Sequence, residues 1–162
     1  MSVEVTLVEY TNGEKRAALE KILEESFQGL YLWHAKKTLY SVEKVFAAEH
    51  ASKPVGVIML KNLLREVGYI YYVAVATEFR SKRVGSVLLE HALEFFRNLN
   101  SKWVLAAVEE DNLPSMNLFE SHGFKKRNFA WIRSQFGVLR ASKMVNDMRL
   151  VPGEILLAVE TR

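Results

Sequence analysis

One strand–helix–strand run between residues 67 and 108 constrains the fold of this chain more than any other feature. Residues 67–76 are rich in β-branched and aromatic side chains and predict a strand. Residues 85–99 follow with their apolar side chains on one helical face, and 103–108 form a short apolar run typical of a strand buried on both faces. Because such crossovers are right-handed and bring their strands side by side, the run predicts two parallel neighbouring strands.

Patterns elsewhere in the chain complete a mixed sheet. The other predicted elements are a strand at 2–9, helices at 14–27 and 30–40, a hairpin of 42–48 and 55–60, a helix between Pro114 and Gly123, and strands at 124–133 and 154–160. Residues 134–152 are predicted to be partly helical. The order predicts an α/β (α+β) fold with a mostly antiparallel seven-stranded sheet and helices on both faces. Without repeats or linkers, residues 1–162 are expected to form a single domain.

The composition excludes several classes of protein. The absence of cysteine excludes a disulfide framework, a thiolate metal site and a cysteine nucleophile. The net charge of +3 is too small to indicate nucleic-acid binding, and no apolar run approaches the roughly 20 residues of a membrane span. His50, His91 and His122 lack metal-ligand spacing, so no metal is predicted. Since no leader pattern opens the chain, we expect a cytoplasmic protein that binds neither nucleic acid nor membrane.

The connection between the strand at 67–76 and the helix at 85–99 is short and basic. Arg80, Lys82 and Arg83 place three positive charges within four residues, and Gly85 lets an anion approach the backbone because it has no Cβ. The first turn of a helix exposes unpaired N–H groups and the positive end of the helix dipole, which together bind phosphates. This basic loop, residues 80–86, therefore predicts a phosphate site. The alternative is an ordinary basic loop before an ordinary helix.

The basic loop resembles a signature of the GNAT superfamily of N-acetyltransferases. That signature is Arg or Gln, two residues, Gly, one residue, then Gly or Ala, directly after the fourth strand. This chain matches at Arg80 and Gly85 and departs at Arg83, where the family usually has glycine. Arginine still offers its backbone N–H, provided that it tolerates the required conformation. The resemblance implies that acetyl-CoA is bound by Arg80, Ser81, Lys82, Arg83, Val84, Gly85 and Ser86.

A second resemblance lies after the strand at 103–108. Asn112, Phe119 and the pair Gly123-Phe124 match a family pattern of an asparagine, an aromatic residue seven positions later and a Gly-Phe pair. Two signatures in the right order, separated by one helix and one strand, are more specific than either alone. The resemblance covers residues 2–124 and implies a GNAT-like sheet in which the parallel strands four and five splay apart.

The resemblance also implies how acetyl-CoA is held beyond its phosphates. Backbone groups of strand four, at Val73, Ala74 and Val75, are expected to pair with the pantetheine arm; the alternative is that these residues are simply sheet core. Asn112 is similar to the family residue that contacts the pantetheine amides or the thioester end, and a helix cap is its alternative, compatible role. Ser115 and Phe119 are assigned to the same cofactor site.

Two positions that carry proton-transfer groups in many family members are occupied differently in this chain. Many family members carry a tyrosine at the position of Phe119 and a glutamate at the position of Ala107, and neither residue of this chain can transfer a proton. The backbone N–H of Val75 is the candidate donor to an oxyanion. Glu66 and Tyr71 are candidates for a base or a proton relay, with a structural role as the alternative.

The acceptor site is predicted from position. In the family the second helix lines this site, which here corresponds to Tyr31, Trp33 and His34; the alternative is that they are packing residues. Two acidic residues after strand five, Glu109 and Glu110, are expected to attract a cationic acceptor, or else to form a solvated turn. The resemblance implies an N-acetyltransferase, a monomer or homodimer, that moves an acetyl group to a primary amine of a protein or small molecule by direct attack in a ternary complex. The alternative is a non-catalytic acyl-CoA-binding regulatory or interaction module.

Overall fold

A computed structural model describes residues 2–161, and the sheet within this range has seven strands. They are β1 (Thr6–Glu9), β2 (Lys44–His50), β3 (Lys53–Leu64), β4 (Val67–Val75), β5 (Trp103–Glu109), β6 (Lys125–Arg127) and β7 (Glu154–Glu160). The order across the sheet is β1-β2-β3-β4-β5-β7-β6. The sheet is mostly antiparallel, and β4 and β5 form the parallel pair, which confirms the predicted mixed α/β fold.

Helices fill most connections between the strands. They are α1 (Gly13–Ala17), α2 (Glu20–Ser26), α3 (Gly29–Ser41), α4 (Val84–Asn98), α5 (Leu113–Ser121), α6 (Phe129–Phe136) and α7 (Val138–Met148), with a short 3-10 turn at Thr77–Phe79. None of the helices in residues 2–161 is long and apolar enough to span a membrane. The predicted helices at 30–40 and 85–99 are confirmed as α3 and α4.

The residue contacts divide the described chain into two compact units. The first contains the residues up to Lys61 together with Ile70–Glu94, and the second contains Asn62–Tyr69 together with the residues from Phe95 onward. The first unit holds β1, β2 and most of β3 and β4, and the second holds β5 to β7. The single domain over 1–162 stays a prediction.

The first unit is built on an antiparallel meander. β1 pairs with β2 from Thr6 opposite Glu49, and β2 pairs with β3 down to His50 opposite Lys53. Only Ala51 and Ser52 connect β2 to β3, and both have a left-handed φ, at 51° and 64°. This is the backbone of a two-residue hairpin turn whose twist matches that of its strands. The predicted hairpin is confirmed, with β2 shifted by two residues along the chain, a longer β3 and a shorter turn than expected.

Two expectations for the first 27 residues were wrong in detail. β1 begins at Thr6, not at residue 2, and the single helix expected over 14–27 is divided into α1 and α2. Asn12 caps α1 by accepting the backbone N–H of Lys15 at 2.8 Å. The division occurs because Ala18 and Leu19 donate to carbonyls three residues back instead of four, which tightens the turn there.

The strand expected over 124–133 was also wrong. β6 ends at Arg127, because the Asn128 side chain accepts the Trp131 N–H at 2.9 Å and starts α6. Ile132 and Phe136 of α6 are buried at helical, not strand, spacing. The helical character expected for 134–152 is confirmed by the end of α6 and by α7. The last strand, predicted at 154–160, is confirmed as β7.

Gly68 of β4 provides a test of packing in the second unit. A Cβ placed on Gly68 would lie 2.4 Å from the ring of Phe96, whose side chain is completely buried. We therefore expect Gly68→Ala to lower the free energy of unfolding by about 2 kcal/mol, in the range of overpacked cores. Urea denaturation measures this change. Phe96→Leu, combined with Gly68→Ala, should recover part of the loss; equal stability of Gly68→Ala and the wild type would contradict the contact.

Candidate functional site

The basic loop leads from β4 into the first turn of α4. The carbonyl of Arg83 accepts the first helical hydrogen bond, from the N–H of Val87 at 3.0 Å. Arg83 is therefore the residue that precedes the helix, and Val84, Gly85 and Ser86 form its first turn. The N–H groups of a first turn have no acceptor inside the helix. Three adjacent donors and the positive end of a 15-residue helix thus face the loop.

Two residues of the basic loop adopt a left-handed backbone. Ser81 has φ 61° and Arg83 has φ 66°. Arg83 stands where the resemblance expects glycine, and its φ explains that preference, because a side chain costs roughly 1–2 kcal/mol in this conformation. The guanidinium of Arg83 extends to Glu90 at 3.6 Å on the exposed surface of α4. The backbone of Arg83 thus adopts the left-handed conformation that glycine usually provides at this position.

The exposed side chain of Arg80 folds back onto the ends of β4 and α2, within the first unit. Its Nε donates to the Val75 carbonyl at 3.1 Å, and a terminal nitrogen donates to the Glu25 carbonyl at 3.0 Å and to Ser26 Oγ at 3.2 Å. The carboxylate of Glu25 in turn accepts the backbone N–H of Thr77 at 2.7 Å. Arg80 and Glu25 therefore tie the two ends of the segment 77–80 to the end of α2.

The remaining cation of the basic loop, Lys82, lies against the protein. Its Nζ is 5.6 Å from the centre of the Phe79 ring, a cation–π distance. Its backbone carbonyl accepts the N–H of Val3 at 3.3 Å. The Phe79 ring also packs against His50, with ring centres 5.4 Å apart. These contacts hold the amine of Lys82 beside the basic loop, so that its side chain does not extend freely into solvent.

The end of β4 provides backbone groups near the loop. Ala74 is buried, whereas Val73 and Val75 are half-buried. The Val75 carbonyl is occupied by Arg80, and the next N–H, that of Ala76, donates to the Val55 carbonyl at 2.8 Å. The predicted pairing of Val73, Ala74 and Val75 with pantetheine, and the predicted oxyanion role of the Val75 N–H, stay predictions.

The predicted acceptor residues of α3 have different environments. Tyr31 is buried in an aromatic cluster with Phe27 and Tyr72, with ring centres 5.0–5.7 Å apart. Trp33 is 54% exposed and carries the Lys37 amine 5.0 Å from its ring centre. His34 packs edge-on against Trp33 at 4.9 Å. The structure therefore groups Trp33 with His34 and places Tyr31 among core aromatics.

The second signature lies wholly in the second unit. The Asn112 side chain accepts the N–H of Ser115 at 3.2 Å and caps α5, which confirms the capping alternative. Phe119 is buried and meets Phe124 edge-on, with ring centres 5.0 Å apart. Gly123, which follows the end of α5, has φ 89°, a backbone conformation that favours glycine. The Gly-Phe pair therefore has a structural reason, and the cofactor roles of Asn112, Ser115 and Phe119 stay predictions.

The candidate proton-transfer residues are both engaged. The Glu66 carboxylate forms an ion pair with Arg140 of α7, and its backbone carbonyl accepts the N–H groups of Lys102 and Trp103 at 2.8 and 3.0 Å. Tyr71 is 6% exposed. These observations do not test a role in proton transfer, but the ion pair and the backbone contacts give Glu66 a structural function in addition.

Glu109 was a candidate for attracting a cationic acceptor, whereas Glu25 was not among the predicted site residues. Burial, followed by the charge of Asp111, raises the pKa of the Glu109 carboxyl at the end of β5. Glu25, in contrast, is exposed, and it contacts the N–H of Thr77, which lies 52 residues further along the chain. Position at a strand end was a usable signal for Glu109. No sequence signal identifies Glu25, because its partner is a backbone N–H.

Comparison with known proteins places these features in a family. The model of the acetyltransferase (GNAT) family matches residues 9–124, which include both signatures. The chain is also 36% identical over 59 residues to a mycothiol acetyltransferase of Thermobifida fusca, across 36% of this chain and 18% of that protein. It spans 18% and 28% of the lengths of two curated relatives that it matches.

Solved structures share the fold over nearly the whole chain. The ribosomal-protein-S18-alanine N-acetyltransferase of Escherichia coli superposes with a TM-score of 0.71 at 14% identity, over 98% of this chain and 94% of that chain. A GNAT family acetyltransferase of Elizabethkingia anophelis with acetyl-CoA bound gives a TM-score of 0.67 at 16% identity, over 96% of this chain and 97% of that one. At these identities the likeness concerns the fold alone.

Proposed function

The chain belongs to the acetyltransferase (GNAT) family, and we propose that it transfers an acetyl group from acetyl-CoA to a primary amine by direct attack in a ternary complex. The acceptor class is a protein N-terminus, a lysine or a small amine. The observation that carries the proposal is the start of α4, where three first-turn N–H groups follow a basic loop with a glycine-like backbone at Arg83.

The donor groups of the basic loop fit an acyl-CoA diphosphate. The N–H groups of Val84, Gly85 and Ser86 would hold the phosphate oxygens, because backbone donors at a helix start favour negative charge. Lys82 and Arg83 contribute positive charge beside them. Acetyl-CoA supplies an activated acyl group and a thiolate leaving group when it is bound. The resemblance to the family assigns the strand-four backbone, at Val73 and Val75, to its pantetheine arm.

The protein's own part in the reaction concerns charge and protons. The N–H of Val75 would donate to the oxygen on which negative charge develops. An amine with a pKa of ~10.4 is mostly protonated at neutral pH, so a group of the enzyme or a bound water must accept its proton. Glu66 and Tyr71 are our candidates for this step. Phe119 has no hydroxyl and cannot protonate the departing thiolate. A thiolate is nevertheless a fair leaving group, because thiols have a pKa of about 8.5, so the reaction proceeds without a tyrosine acid.

A non-catalytic acyl-CoA-binding module is the second candidate. It is favoured by the buried phenyl ring of Phe119 and by the methyl group of Ala107, which stand where family members commonly carry proton-transfer residues. Both functions require that the basic loop binds CoA. Only the transferase releases free thiol when acetyl-CoA meets an acceptor.

Thiol release from acetyl-CoA tests the proposed function. The protein is incubated with acetyl-CoA and a panel of peptides with free N-termini, lysine peptides, polyamines and small amines. We expect release that depends on one amine class, saturates with both substrates and gives intersecting double-reciprocal lines, as a ternary complex requires. CoA binding by calorimetry without release for any amine would support the binding module instead, and parallel lines would contradict direct attack.

A further inference from the structure

We infer that Glu25 and Arg80 form a brace that holds the basic loop in its phosphate-binding shape, so that both act as positioning residues for acyl-CoA. The inference rests on the proposed function of the loop. It assigns a role to Glu25, a residue on the exposed side of α2 and outside both signatures. The brace consists of three hydrogen bonds between the end of α2 and the segment Val75 to Arg80, and of a fourth within that segment, from Arg80 to the Val75 carbonyl.

The loop requires support because its backbone is strained. Ser81 and Arg83 both have a left-handed φ, which side chains other than glycine adopt at a cost. Such conformations persist only where the surroundings over-determine them. Without support, the loop would sample extended conformations in which its backbone and its cations no longer lie beside the first-turn N–H groups of α4. Binding would then require that the loop be ordered first, which weakens affinity.

Glu25 fixes the start of the segment 77–80 that leads into the basic loop. Its carboxylate accepts the Thr77 N–H at 2.7 Å, a charge-assisted hydrogen bond at the start of the 3-10 turn. Hydrogen bonds from Thr77, first from its backbone N–H, lower the pKa of the Glu25 carboxyl, and the charges of Lys21 and Arg80 add to this effect. The carboxylate therefore stays ionised and available as an acceptor throughout the neutral range.

Arg80 secures the other end of the same segment. Its planar guanidinium contacts three acceptors, the carbonyls of Val75 and Glu25 and the hydroxyl of Ser26. A fork of this kind connects the end of β4 to the end of α2, a geometry that the single ammonium of a lysine does not reproduce. Arg80 thus acts on the bound phosphates through the loop, while Lys82 and Arg83 supply the charge.

The effect on coenzyme binding tests the brace. We expect Glu25→Ala to raise the Kd of CoA, measured by calorimetry, about tenfold. Glu25→Gln should raise it less, because its amide oxygen still accepts the Thr77 N–H. The matched control is Glu24→Ala, which removes an exposed carboxylate of the same helix that pairs with Lys36; its Kd should stay at the wild-type value. Thermal melting of all three variants should remain close to the wild type, since the brace is exposed.

Two further readouts separate positioning from a direct contact or a loss of stability. Amide hydrogen exchange between Thr77 and Arg83 should accelerate in CoA-free Glu25→Ala but not in Glu24→Ala. The salt dependence of the CoA Kd should be unchanged in Arg80→Gln, because a brace carries no phosphate charge; a shallower dependence would show direct contact and overturn the role of Arg80.

The failure of the brace is distinguishable from that of the proposed function. Wild-type affinity and unchanged exchange in Glu25→Ala would overturn the brace and leave the proposed function intact. If the wild-type protein gives no heat with CoA, the proposed function fails, and the positioning role fails with it.

Discussion

Gly85→Glu is expected to abolish acyl-CoA binding in a protein that remains folded. The carboxylate would stand in the first turn of α4, where the phosphates are proposed to bind. Two unit charges 4 Å apart repel by about 4 kcal/mol at an effective dielectric constant near 20, so the Kd of CoA should rise at least ~100-fold. The helix itself should tolerate the change, because glutamate has a higher helix propensity than glycine and is favourable in a first turn.

Two control variants separate charge from bulk at residue 85. Gly85→Ala follows the alternative that the family signature allows, and we expect it to bind CoA like the wild type. Gly85→Gln has the size of glutamate without its charge and should weaken binding much less than Gly85→Glu. Calorimetry provides the affinities and thermal melting confirms folding. Wild-type affinity in folded Gly85→Glu would contradict a phosphate site at the start of α4.

The elements with strong periodicity were predictable from the sequence. The helix α4 and the strands β4 and β5 were predicted within one residue at each end, because a continuous apolar face or run leaves little choice of boundary. The predicted strand at 124–133 failed for a local reason. Its apolar residues fit either period, and the hydrogen bond from Trp131 to the Asn128 side chain selects the helix.

The basic loop was predictable from sequence, but the brace that holds it was not. Charge and a helix start, both visible in a single segment, identify residues 80–86. The left-handed backbone of Arg83 was not visible, because arginine is not a residue that indicates it. Glu25 contacts a backbone N–H that any residue except proline would offer at position 77. The pattern of side chains therefore gives no indication of the contact between Glu25 and Thr77. Position along a helix therefore did not distinguish Glu25 from Glu24.

Arg16 is the least expected core residue of the first unit. It is 7% exposed, and its guanidinium donates to the carbonyls of Tyr10, Leu39 and Val42 at 2.9–3.1 Å. These carbonyls lie after β1, near the end of α3 and before β2, so one side chain joins three segments. Desolvation lowers the pKa of Arg16, and the charge of Glu9 opposes that effect. Arginine stays charged in proteins, and the carbonyls act as its acceptors.

Arg16→Met should therefore lower the free energy of unfolding by about 3 kcal/mol, measured by urea denaturation. Methionine keeps the apolar stem but leaves three buried carbonyls without a donor, each at a cost of roughly 1 kcal/mol or more. Arg16→Lys should be intermediate, because one ammonium cannot reproduce the planar fork. The control Lys21→Met, on exposed surface of α2, should change stability by less than about 0.5 kcal/mol. A loss for Arg16→Met no larger than that of the control would show that water satisfies these carbonyls and that the three segments are held together by apolar packing.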